Sequence, residues 1–174
     1  VFYSHLKGHV EALLFASGVP LPLAKIAQVL EIEEDNVKLL IAQLNEDLTD
    51  NNRGLTIVEV AGGFQLCTKP ELAEIIERLA NVRETKLSTA AMETVAVIAF
   101  KQPITKQEIE AIRGVKVDKP LATLIDRGLV KELGRKETIG RPILYGTTED
   151  FLQCFGLKSL AELPPLADLL TEQP

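Results

Sequence analysis

A chain of 174 residues, 46% hydrophobic and 25% charged, has the composition of an ordinary folded protein and room for one or two domains. No apolar run approaches the ~20 residues of a membrane span, and no stretch reads as a cleavable signal segment. Two cysteines, Cys67 and Cys154, are too few for a disulfide framework and read as packed free thiols. The net charge of −6 is uneven: residues 1–80 hold 6 Lys and Arg against 12 Asp and Glu, and residues 81–158 hold 13 against 10. The first half is therefore a poor surface for a polyanion, while the second could tolerate one.

In chain order, HVEALLFASG predicts a helix, with Val10, Leu13 and Leu14 on one side and Gly18 as its stop. VPLPL is a short extended piece, because two prolines cannot continue the helix. A second helix, AKIAQVL, and a longer third, DNVKLLIAQLNEDL, follow, the latter with Val37, Leu40, Ile41 and Leu44 on one face. LTIVEV and FQLC flank AGG and predict a hairpin. TKPELAEIIERLA closes the series, with Thr68 and Glu71 in capping-box spacing.

The same order then returns. STAAMETVAVIAF is a helix capped by Ser88 or Thr89; QPIT is the extended piece, with Pro103 and Ile104 standing where Pro20 and Leu21 stood. TKQEIEAIRG has Thr105 and Glu108 in capping-box spacing and Gly114 as its stop. DKPLATLIDRG puts Leu121, Leu124 and Ile125 inward, LVKELG and PILYG form hairpin arms, and TEDFLQCFG aligns Phe151, Cys154 and Phe155 with Leu72, Ile75 and Ile76. The chain is thus a repeat of about eighty residues, mainly α with small β-hairpins. Three helices closed by a hairpin make a winged helix, here two in tandem. The predicted domains are 1–80 and 88–158, joined by a linker at 81–87. The tail, 159–174, is either loosely ordered or a docking segment.

GRKETIGRPILYG looks at first like a phosphate loop, but no Gly-Lys-Ser/Thr leads into a helix. It is the wing of the second repeat: Gly134 and Gly140 permit the turn, Pro142 opens an edge strand, and Tyr145 packs back. Lys131, Arg135, Lys136 and Arg141 on this wing are candidates for weak contacts with DNA phosphates or a partner. Base reading falls to the third helix of such a fold, and neither third helix carries the Arg, Asn and Gln pairs that recognise base edges. His5 and His9 stand at i, i+4, but HLKGH lacks the Glu of the zinc-protease pattern and there is no third His. No serine has a neighbouring His to activate it. Neither a metal, a cofactor nor catalysis is expected. Surplus apolar positions in the first repeat, Leu14, Phe15 and Leu39, mark either a self-association face or packing on the neighbouring repeat.

Two tandem winged-helix units closed by LIDRGLVKELGRKETIGRPILYGTTEDFLQCFGLKSLAELPPL resemble the segregation and condensation protein B (ScpB) family. The most specific positions are Gly134, Gly140, Pro142, Tyr145, Phe155 and Gly156; EALLFASGVPL matches in the first repeat. The resemblance implies a non-enzymatic, cytoplasmic, nucleoid-associated scaffold without a cofactor. It implies a homodimer that binds the kleisin, segregation and condensation protein A (ScpA), and through it the SMC ATPase. The first repeat is expected to dimerise and the second to bind the kleisin. The alternative is a winged-helix DNA-binding transcription regulator.

Overall fold

The structure, a computed structural model, describes residues 3–50, 52–80 and 86–164. The chain divides into two compact units, residues 1–84 and 85–174.

In the first unit a 3-10 turn, Ser4–Leu6, leads into α1 (Lys7–Ser17), α2 (Leu23–Leu30) and α3 (Glu34–Asp47). Val10 and Leu14 of α1, Ile26 of α2, and Val37, Leu40, Ile41 and Leu44 of α3 meet in one core with Leu48 and Ile57. Each large side chain fully buried there contributes about 1.5–3 kcal/mol. The apolar spacing of three and four residues thus becomes a three-helix cluster. The hairpin β1 (Leu55–Val60) and β2 (Gly63–Thr68) pairs antiparallel from Leu55↔Thr68 to Val60↔Gly63. Its two turn residues, Ala61 and Gly62, both have positive φ (48° and 73°), as a tight hairpin with right-handed strand twist requires. Leu21 bridges to Phe64 through a reciprocal pair of backbone hydrogen bonds, 2.9 and 3.0 Å. That crossing is close: a Cβ on Gly63 would lie 2.8 Å from the Leu21 backbone. Asn45 Oδ1 accepts the outward N–H of Ile57 at 2.9 Å and so occupies part of the β1 edge. A 3-10 turn, Pro70–Leu72, and α4 (Ala73–Ala80) follow.

The second unit contains α5 (Thr89–Lys101), β3 (Ile104–Thr105), α6 (Lys106–Arg113), α7 (Asp118–Asp126), β4 (Val130–Arg135), β5 (Ile143–Thr147) and α8 (Glu149–Phe155). Three of its helices carry side-chain caps, and those at Ser88 and Thr105 are the ones read from the sequence. Ser88 Oγ accepts from Ala91 N, Thr105 and Glu108 form a full capping box, and Thr148 Oγ1 accepts from Phe151 N. The sheet order is β3-β5-β4, all antiparallel. Val95, Ile98, Ile104, Ile109, Val117, Leu121, Leu124, Val130, Tyr145 and Phe151 form its core. Both units are winged helices, mainly helical with small antiparallel sheets.

The structure corrects several sequence expectations. Leu14 is 1% exposed and belongs to the first core, so it offers no free face for self-association. Thr68 caps nothing: Pro70 begins a 3-10 turn whose cap residue is Lys69, and no side chain caps it. Ile125 is exposed because α7 buries only Leu121 and Leu124. Cys154 is exposed and Phe155 partly so, because α8 turns only Phe151 fully inward; Cys67 is half-buried. Pro142 precedes the central strand, not an edge strand, because β3 adds itself on the far side of β5. Of the linker 81–87, residues 81–85 lie outside the described residues, and Leu87 packs on the second core. Of the tail, 165–174 lie outside them too; the part described makes a short 3-10 turn, Leu160–Glu162, and Leu163 packs against the same core.

Candidate partner-binding site

Between α6 and the start of the wing lies a groove of about 340 Å³, lined by Lys106, Gln107, Glu110, Lys116, Pro142, Ile143 and Tyr145. Its geometry follows from the local sequence. The Thr105 capping box fixes where α6 begins, and the pairing of Thr105 with Leu144 fixes β5 beside it. The floor is Tyr145, buried on the central strand, where burial pushes its hydroxyl above the ordinary tyrosine range.

The rim is a closed set of ion pairs. Lys106 pairs with Asp118 and lies 4.0 Å from Glu110; Lys116 Nζ reaches Glu110 at 2.9 Å. Lys116 lowers the carboxyl of Glu110, Lys106 lowers that of Asp118, and Asp118 in turn raises Lys106. Both carboxylates are therefore ionised and matched by ammonium groups at neutral pH. Such a rim supplies oriented donors and acceptors around an apolar floor; it has no unmatched acid or base for proton transfer.

The wing itself is held in place by two of its own cations. Lys136 Nζ donates to Glu108 Oε1 at 2.6 Å, and Arg135 Nη1 donates to the Arg141 carbonyl at 3.0 Å. The Lys136 hydrogen bond, helped by the Thr105 N–H and hydroxyl, holds Glu108 down to about 2. The tip turns through Thr138 and Arg141, whose N–H groups donate to the Lys136 and Thr138 carbonyls at 2.9 Å, with Gly140 at φ 84°. Ile139 stands fully exposed at this tip. A bulge at Leu133 lays that side chain over Gly146, and together with Lys131 and Arg135 it blunts the β4 edge. Of the four wing cations, Lys131, Arg135 and Arg141 make no ion pair among the described residues.

The structure brings the second-unit signature positions together around this groove and wing: Gly134, Gly140, Pro142 and Tyr145 shape them. Phe155, its ring centroid 4.7 Å from that of Phe151 and tilted by 39°, and Gly156, at φ 65°, instead end α8. The wing cations do not converge on one point. In the first unit Phe15 and Leu39 are exposed on different helices, α1 and α3. Composition missed the groove residues Lys106, Gln107 and Lys116; only the capping box at Thr105 could have placed them. The closing helix of the first repeat was read, but not its exposure: Leu72, in the 3-10 turn before α4, and Ile75, Ile76 and Leu79 along α4 are all exposed. Base readers are missing from α7, whose outward residues are Asp118, Lys119, Ala122, Thr123, Ile125 and Asp126, and the outward face of α3 is acidic. His5 and His9 are exposed, and no His, Cys, Asp or Glu cluster among the described residues could hold a metal. No helix among them is long and apolar enough to cross a membrane.

Comparison with known proteins gives the family. The chain is 52% identical over 174 residues to segregation and condensation protein B of Symbiobacterium thermophilum, covering 100% of this chain and 79% of that one. It is 55% identical over 164 residues to the protein of the same name from Geobacillus thermodenitrificans, covering 93% and 78%. A solved dimer of a ScpB N-terminal domain complexed with a ScpA peptide is 41% identical over 45% of this chain and 99% of that one, with a TM-score of 0.43. The family model for the segregation and condensation complex subunit ScpB matches residues 8–166, and the chain belongs to that family, a non-catalytic subunit of the SMC complex in chromosome segregation and condensation.

Proposed function

We propose that this chain works as a homodimeric scaffold that binds the kleisin ScpA and, through it, the SMC ATPase heads, in the cytoplasm at the nucleoid. The first unit dimerises, and the second receives a kleisin segment in the groove between α6 and the wing. The observation that carries the second assignment is the groove's make-up: an apolar floor at Tyr145 and Ile143 with a rim of matched charges that can exchange partners without stranding one. ATP chemistry then belongs to SMC. On the first unit, exposed Phe15 and Leu39 are the starting candidates for the dimer.

The wing supports only a weak, sequence-blind attraction for DNA, since Lys136 and Arg135 are engaged internally. The test is calorimetric titration of the 174-residue chain with the central ScpA segment. Gln107→Glu combined with Lys116→Glu should weaken binding at least tenfold while leaving thermal unfolding nearly unchanged. Unaltered affinity moves the site elsewhere. A salt-resistant footprint on one DNA sequence would instead restore the transcription regulator.

A further inference from the structure

Of the two cations on the groove rim, Lys116 has a fixed backbone and a free hand. It lies in the short connection from α6 to α7, and the next residue, Val117, is fully buried in the second core. Val117 also donates its N–H to Glu110 Oε1 at 3.3 Å, which ties the connection back to α6. The Lys116 side chain itself is 83% exposed. Among the described residues it pairs with Glu110 alone, Nζ to Oε2 at 2.9 Å.

Lys106 differs, because it is shared between Asp118 and Glu110, its Nζ 4.0 Å from Glu110 Oε1. Glu110, only 14% exposed, is thus held by three donors, and it keeps two of them if Lys116 swings away. An exposed ion pair contributes little, so exchanging one carboxylate for another at Lys116 strands no charge. The groove floor offers a second open group. Tyr145 is 8% exposed, yet its hydroxyl makes no hydrogen bond among the described residues. No fully buried polar side-chain atom among them lacks a partner, so this hydroxyl opens into the groove that Tyr145 lines. Ile143, half-buried beside it, is the apolar wall.

We propose that the groove selects its kleisin segment by two neighbouring side chains: an apolar one that packs on Ile143 and the Tyr145 ring, and an Asp or Glu that takes Lys116 from Glu110. The Tyr145 hydroxyl bonds the main chain of the same segment. This rests on the kleisin reading above and names what that site recognises. An acidic segment is the occupant that fits, because the charge the rim can release is positive. A basic segment would have to take Glu110 from the Val117 N–H and two ammonium groups at once.

The test titrates the 174-residue chain calorimetrically with the central ScpA segment. The titration is repeated with each Asp and Glu of the segment replaced, one at a time, by Asn or Gln. At one position the replacement should weaken binding about tenfold with the wild-type chain and have no effect with Lys116→Met. That variant should melt as the wild type does, since the side chain is exposed. Glu110→Gln frees Lys116, while its amide oxygen still accepts from Val117, and should tighten the unaltered segment about threefold. Tyr145→Phe should weaken all segments alike, by about threefold. Losses that persist at every acidic position in Lys116→Met overturn the exchange while leaving the groove as the site. So does weaker binding by Glu110→Gln. A wild-type chain that binds no ScpA segment removes the kleisin reading itself.

Discussion

The two units are built to one plan, yet they finish it differently. In the second, α8 turns Phe151 inward to 3% exposure, its cap is made by Thr148, and Leu152, Leu157 and Leu163 pack along the same core. In the first, α4 starts from a 3-10 turn without a side-chain cap and keeps its apolar stripe in water. The second sheet has three strands, with β3 paired to β5 through two residues, while the first has a hairpin and one bridge at Leu21. A repeat therefore need not close on itself twice: the same helix–wing–helix plan yields one unit whose closing helix is packed and one whose closing helix keeps an exposed apolar stripe.

The largest expected effect comes from the closing helices. Phe151→Ala should cost about 3–5 kcal/mol of unfolding free energy, because it empties a packed site. Its repeat counterpart Leu72→Ala should cost under about 1 kcal/mol. Chemical denaturation of each variant checks this, and equal losses would erase the contrast.

Next come the close crossings in the two sheets. A Cβ at Gly63 meets Leu21 backbone at 2.8 Å; a Cβ at Gly146 meets the Gln102 side chain and Leu133 at 2.6 Å. Backbone cannot step aside as a flexible side chain can. Gly63→Ala should therefore fall at the upper end of the roughly 1–3 kcal/mol of overpacking and Gly146→Ala at the lower. Melting temperatures in the reverse order would show that the second sheet is the stiffer.

Acid should act on the second unit through the wing strut. Glu108 has its folded-state pKa lowered to about 2 from 4.5, so its contribution is complete above pH 4.5 and is lost as pH falls from there toward 2. Lys136→Met should flatten that part of the stability-versus-pH curve, measured as denaturant midpoints at pH 6 and pH 3. An identical slope would mean the strut is not what holds Glu108.

The smallest pair concerns caps. Thr148→Ala removes the hydroxyl that accepts from Phe151 N at 3.1 Å and donates to the Gly128 carbonyl at 2.6 Å, and should cost about 1 kcal/mol. Thr68→Ala, which removes no cap, should change stability by less than about 0.5 kcal/mol.

These contrasts also mark how far the sequence could be read. Element order and most core positions were legible, because spacings such as Val37-Leu40-Ile41-Leu44 leave a helix only one face to bury. Caps with a second signal were legible as well: Thr105–Glu108 is followed by an apolar helical pattern, and Ser88 precedes one. Thr68–Glu71 shows the same letters, but Pro70 between them starts a 3-10 turn instead. The wing's restraint was not legible, since Lys136 and Glu108 lie 28 residues apart and meet only once β5 is placed beside α6. Nor could the exposure of α4 be foreseen, because an apolar stripe looks the same in sequence whether it is covered by its own domain or not. Leu14 and Phe15 differ by one position along a helix, about 100° of rotation, and that separates core from surface.

The tuck of Leu163 has a consequence for where the second domain ends. Counted by the repeat, the unit stops with α8 and Gly156. Counted by packing, it continues through Leu157 and a Ser159-capped turn to a leucine that rests on the shared core. A protease or an engineered stop at Lys158 would therefore not trim a loose end. It would uncover part of the core and leave a shorter fragment more prone to stick to its neighbours. The boundary set by shared ancestry and the boundary set by solvent differ by one turn of chain, and solvent decides what can be cut away.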